Sequence, residues 1–124
     1  MPTILLVDDD DLLRDALHQT LVRAGYDVED ASDGAAALRA YRKRPRDVVI
    51  TDIVMPGKEG LETIRALRAQ DLDVKIIAIS GGGVGRADDY LNVAQKLGAT
   101  RILAKPFSGA EIVALVAEVL AGPV

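Results

Sequence analysis

Cysteine and tryptophan are absent from this 124-residue chain, which has one phenylalanine, three tyrosines and a single histidine. Without thiols there is no disulfide framework, no thiolate metal site and no cysteine nucleophile. That fits a reducing compartment, and a cytoplasmic location is expected. So few aromatics leave little surface for stacking bases. A formal net charge of −4 also opposes a phosphate backbone, so no direct nucleic-acid contact is expected. No apolar run approaches the ~20 residues that span a bilayer. The start, Met1-Pro2-Thr3-Ile4, lacks the basic segment of a signal peptide. No membrane association is expected.

What is present is a large apolar fraction, 49%, enough for a core. The length suits one domain, 1–124, with no output domain. Short β-branched or apolar runs at Thr3–Val7, Tyr26–Asp30, Asp47–Thr51, Val74–Ile79 and Arg101–Ala104 read as strands. Between them lie stretches with helical spacing. The first turns Leu13, Ala16, Leu17, Thr20, Leu21 and Ala24 inward and Asp11, Arg14, Asp15 and His18 outward, and stops at Gly25. The second buries Ala37, Leu38 and Tyr41; the third Leu61, Ile64 and Leu67. The fourth carries Leu91, Ala94 and Leu97 up to Gly98, and the fifth Ile112, Leu115, Val116 and Val119. Five strand–helix units of about 25 residues each favour right-handed crossovers and a parallel sheet. Ile4–Val7, Val48–Ile50 and Lys75–Ile79 are almost continuously apolar, as strands covered on both faces are. The fold class is therefore α/β, an open doubly wound sheet.

In such sheets the site lies beyond the carboxyl ends of the strands. Asp8 and Asp9 follow the first strand, Asp52 the third, Ser80 the fourth and Lys105 the fifth. Asp8 to Asp11 are four acids in a row, and two carboxylates about 4 Å apart repel by about 4 kcal/mol at an effective dielectric near 20. Asp10 and Asp11 suit a helix start, where an N-cap and the macrodipole stabilise negative charge. Asp8 and Asp9, with Asp52 arriving from a neighbouring strand, suit a hard divalent cation, and Mg²⁺ matches oxygen donors that leave room for water and phosphate. A carboxylate such as Asp52 can attack phosphorus to give an acyl phosphate. Phosphoryl transfer needs mainly positioning and positive charge around the equatorial oxygens. Mg²⁺ and Lys105 would supply that charge, and Ser80 a hydrogen bond. Three carboxylates, one divalent cation and one ammonium cancel, so an added phosphoryl group of about −1.5 to −2 becomes the readable signal. Taken singly, Lys105 also reads as a solvated loop residue, and Ser80 as a turn residue. His18 has no second imidazole as partner and reads as a solvated histidine. The Gly81-Gly82-Gly83 run forms no phosphate-cradle pattern.

Val7-Asp8-Asp9, Asp52-Ile53-Val54-Met55-Pro56-Gly57, Ser80 and Lys105-Pro106-Phe107 together resemble the receiver domain of two-component response regulators, over essentially the whole chain. The resemblance implies a flavodoxin-like sheet of order 2-1-3-4-5 with five helices. It makes Asp52 the phosphoacceptor, served by a sensor histidine kinase or a histidine phosphotransfer protein. Asp9 and Asp52 become direct Mg²⁺ ligands, with the backbone carbonyl of Val54 as a third and Asp8 acting through water. Lys105 pairs with the phosphoryl group, Ser80 moves toward it, and the Lys105-Pro106 bond is cis. Output would pass to a protein partner through the face of helix 4, strand 5 and helix 5, including Tyr90, Lys96 and Arg101, in a monomer or weak dimer. Such a switch catalyses its own phosphorylation and slow dephosphorylation but turns over no separate substrate, so no enzyme in the ordinary sense is expected.

The chain departs from the pattern in three places. Ile102 stands where receivers often carry an aromatic, so no aromatic rotamer switch operates there. Extra length near Gly81-Gly82-Gly83-Val84-Gly85 predicts a mobile loop. Val54 and Gly82 offer no side chain to hold an attacking water, which predicts a long-lived phosphorylated form. Two rivals share parts of the chemistry. Asp8-x-Asp10 superficially fits a haloacid-dehalogenase-like phosphatase, though Leu12 replaces its usual Thr or Val and no cap domain fits. An acidic first loop would repel the phosphate of a flavodoxin-like cofactor.

Overall fold

The computed structural model describes residues 1–53, 59–80 and 94–122. Five strands run β1 (Thr3–Val7), β2 (Asp27–Ala31), β3 (Val48–Asp52), β4 (Lys75–Ser80) and β5 (Arg101–Ala104). The helices are α1 (Asp11–Arg23), α2 (Gly34–Lys43), α3 (Glu59–Gln70), α4, of which 94–97 are described, and α5 (Gly109–Ala121). All strand pairs are parallel and the order is β2-β1-β3-β4-β5, the doubly wound arrangement expected.

Strand periodicity divides the core in two. From β1, Leu5 and Val7 point to one face, where Val49, Ile76 and Ala78 meet Ala37 and Tyr41 of α2 and Ile64 and Leu67 of α3. Ile4 and Leu6 point to the other, joining Val48, Ile50, Ile77 and Ile79 under Leu17 and Leu21 of α1 and Ile112, Val116 and Val119 of α5. The three central strands are covered on both sides, which is why their sequences scarcely alternate. Caps fix the helix ends. The Asp10 carboxylate accepts from Leu12 and Leu13 N–H, Asp33 from Ala36 N–H, and Ser108 and Glu111 form a reciprocal capping box.

The inward stripe of α1 is narrower than its spacing predicts. Leu17 and Leu21 are buried and Leu13 and Thr20 half-buried, but Ala16 and Ala24 are exposed. α1 packs over β1 and β2 beside α5, which contacts the central strands β3 and β4. Sharing one face with a neighbour leaves α1 less sheet to cover. β2, β3 and β4 each begin and end one residue later than their apolar runs predict, so Asp52 and Ser80 close strands rather than follow them. Gly98 ends α4 with φ 120°. The predicted glycine loop, Val54, Tyr90 and Leu91 lie outside the described residues.

Candidate functional site

Register decides which residues meet. Val7 pairs with Thr51, Asp52 with Ile79, and Ser80 with Ala104. The next residues, Asp8 and Lys105, therefore reach the same carboxyl edge as Asp52 and Ser80. Asp8, Asp52 and Ser80 are buried there although all are polar. Lys105 is held from behind, its N–H donating to the Ser80 carbonyl at 2.8 Å, and the Lys105-Pro106 bond is cis.

The Lys105 ammonium donates to Asp52 Oδ2 at 2.9 Å and lies 3.7 Å from Asp8 Oδ2. Burial alone would lower the Lys105 pKa. The hydrogen bond and charge of Asp52, with Asp8 and Asp10 behind it, outweigh burial and raise it. Lys105 therefore stays charged through the neutral range. Asp8 is raised above the usual carboxylate range, first by burial and then by Asp52 and Asp9, against the opposing Asp10 N–H and Lys105. Desolvation without full compensation disfavours its charged form.

Asp8, Asp9 and Asp52 each offer a carboxylate oxygen, all within 4.8 Å of one another. Asp8 Oδ1 accepts from Asp10 N–H at 2.9 Å, but Asp8 Oδ2 is buried and has no hydrogen-bond partner among the described residues. A buried acceptor left this way costs about 1–3 kcal/mol. An oxygen-only donor set with one lone-pair site open, beside an exposed Asp9, fits a hard divalent cation such as Mg²⁺. The Ser80 hydroxyl is likewise buried and without a partner among the described residues.

Each predicted side chain is thus at one edge, while Val54 lies outside the described residues. Ile102 is half-buried against the core on the α2 and α3 side. Asp10 caps α1 through Oδ1, accepting from Leu12 and Leu13 N–H, and that role counts against the phosphatase-like pairing of Asp8 with Asp10. His18 is not simply solvated: its Nδ1 lies 2.7 Å from Asp30 Oδ1, one turn from Arg14. Two contributors went unnoticed in the sequence. Arg14 donates to the Asp8 carbonyl at 2.6 Å. At Gly60 a Cβ would overlap the Asp52 carbonyl oxygen and Ile53 Cα, so only glycine lets α3 start against the backbone at Asp52. A glycine inside a helix, costing about 1 kcal/mol against alanine, was the available signal for such an approach.

Comparison with known proteins now decides the family. Residues 4–117 match the response regulator receiver domain. The chain belongs to that family. Transcriptional regulatory protein PrrA of Mycobacterium tuberculosis is 38% identical over 119 residues, covering 96% of this chain and 50% of PrrA. The C4-dicarboxylate transport transcriptional regulatory protein DctD of Pseudomonas aeruginosa is 44% identical over 105 residues, covering 84% of this chain and 22% of DctD. This receiver thus spans about half the length, or less, of these curated relatives. Among solved structures, the receiver domain of NtrX from Brucella abortus superposes with a TM-score of 0.89 at 27% identity, covering 97% of this chain and 99% of that one. The chemotaxis response regulator CheY4 of Vibrio cholerae does so with 0.84 at 32%, covering 96% and 98%. Among the described residues no helix is long and apolar enough to cross a membrane.

Proposed function

We propose that this receiver is a phosphorylation switch in which Asp52 accepts a phosphoryl group from a phosphohistidine on a sensor kinase or phosphotransfer protein. The observation that carries this is the grouping of a buried Asp52 with a Lys105 ammonium at 2.9 Å and two further carboxylates within 4.8 Å. An Asp52 oxygen forms the new O–P bond as the N–P bond of the donor breaks, and the released imidazole takes a proton from solvent. Lys105, in place before transfer, balances charge on the equatorial oxygens. The Ser80 hydroxyl, buried and without a partner among the described residues, donates to one of those oxygens once they arrive. Asp8, Asp9 and Asp52 would hold Mg²⁺, with the Val54 carbonyl as the further ligand that the family implies. When bound, the ion neutralises carboxylate and phosphoryl charge.

The added charge of about −1.5 to −2 would draw Lys105 and Ser80 and shift the face of α4, β5 and α5 that meets a protein partner. The protein consumes no separate substrate. Relatives named as transcriptional regulators are about twice as long as this chain or longer, so what the switch controls is a matter of the partner or chain it acts with. Incubation with acetyl phosphate and Mg²⁺, followed by mass spectrometry, is expected to label Asp52 in the wild type and nothing in Asp52→Asn. A label on Asp8, or none at all, would overturn the reading.

A further inference from the structure

Asp8 is fixed at three points. Its N–H donates to the Ala31 carbonyl of β2 at 3.2 Å, its Oδ1 accepts from Asp10 N–H at 2.9 Å, and its carbonyl accepts from Arg14 Nη1 at 2.6 Å. The third differs from the others, because it reaches across from α1 to the peptide that joins Asp8 to Asp9. That peptide carries the two loop carboxylates of the site, and a planar unit moves as one body. Arg14 is itself braced. Its Nη2 donates to Asp11 Oδ1 at 2.7 Å, and its Nε lies 3.7 Å from Asp30 Oδ2, whose other oxygen meets His18 at 2.7 Å. Its side chain is only 17% exposed. A rigid guanidinium fork with acceptors on several sides suits holding a loop better than a solvated lysine would.

We infer that Arg14 is a positioning residue for the acidic site, gripping the Asp8–Asp9 peptide so that both carboxylates face Asp52. The inference rests on the reading of Asp8, Asp9 and Asp52 as a magnesium site. It makes a prediction opposite in sign to the one that charge alone would make. Arg14 is a cation beside a cation site, so as a source of field it weakens Mg²⁺ binding and its removal would strengthen it. As a positioning group it strengthens Mg²⁺ binding and its removal weakens it, as happens when the partners of metal ligands are lost.

The test is titration of the unphosphorylated protein with MgCl₂ by calorimetry at low temperature, with circular dichroism to establish that each variant is folded. Arg14→Gln is expected to bind about tenfold more weakly than wild type. Arg14→Lys preserves the charge but can offer no fork, and is expected to fall between the two. Gln binding as tightly as wild type or more tightly, or Lys equal to wild type, would overturn the role of Arg14 while leaving the magnesium site standing. If Arg14→Gln does not fold, the Lys variant decides alone, because its field is unchanged and only geometry differs. No Mg²⁺ uptake by the wild type would instead remove the functional reading and this inference with it.

Discussion

At the amino-terminal edge of the sheet, Arg46 is buried yet well served. Its Nη1 donates to the Ala40 carbonyl at 3.1 Å and to the Arg44 carbonyl, and its Nη2 to Glu29, leaving only Nε over. Nearby, Tyr41 donates to Asp71 at 2.7 Å, and Asp47 exchanges bonds with Thr3. At the carboxyl edge, Asp8 and Ser80 are buried completely, and each has a polar atom with no hydrogen bond among the described residues. Both edges place polar groups where strands end. One edge satisfies all but Arg46 Nε internally and ties helices to strands, and the other leaves a carboxylate oxygen and a hydroxyl without a hydrogen bond among the described residues. Buried polar groups are normally paired, so two residues at one edge that each keep an unpaired atom set that edge apart.

Three substitutions sharpen that contrast. The largest effect on stability is expected at the satisfied edge. Arg46→Ala removes a buried cation with three acceptors and its packed stem, and should cost about 2–3 kcal/mol in denaturant unfolding. A loss below 1 kcal/mol would show that the network there is dispensable.

The opposite sign is expected at the open edge. Asp8→Asn keeps the acceptor for Asp10 N–H but removes a buried like charge, so without Mg²⁺ it should stabilise the fold by about 1–2 kcal/mol at neutral pH. The pH dependence follows from the raised Asp8 pKa. A carboxyl raised in the folded state contributes stability fully below its unfolded value, ~3.9, and that contribution is lost as pH rises through the raised value. The gap between variant and wild type should therefore be absent in acid and open on going toward neutrality. Saturating Mg²⁺ should close or reverse it, because under the proposed reading the ion would bind the wild type's folded state more tightly. A variant no more stable than wild type at pH 7 without metal would remove the claim that Asp8 is held at a cost.

The smallest effect is expected at Asp47. Its carboxylate accepts from Thr3 N–H at 2.8 Å and from the Thr3 hydroxyl at 3.2 Å in an exposed position. Asp47→Ala should lose about 0.5–1.5 kcal/mol by thermal unfolding and leave phosphorylation of Asp52 unchanged.

The apolar runs of β1, β3 and β4 announced themselves because a strand covered on both faces cannot alternate. That Asp8, Asp9, Asp52, Ser80 and Lys105 share one edge was legible because each stands at or just beyond a strand's carboxyl end. Asp10 and Asp11 read correctly as a helix start for the same local reason. Three residues were misread or missed because their partners lie outside their own helix. His18 looked solvated because Asp30, on β2, is invisible from its own helix. Arg14 looked like polar-face decoration, because a main-chain carbonyl leaves no trace in composition. Gly60 passed unremarked because the backbone it lies against is at the end of β3, at Asp52 and Ile53.

The order of residue types alone determined the number of strands, their parallel class and the identity of the groups presented at one edge. It could do so because periodicity and strand termini are short-range properties of the chain. Only the tertiary structure decided that Lys105 reaches Asp52, that Asp8 keeps a buried oxygen without a hydrogen bond among the described residues, and that Arg14 holds the peptide between two acids. The first depends on register between strands up to about fifty residues apart in sequence, fixed by packing on both faces of the sheet, and the last on how α1 turns back over the end of β1.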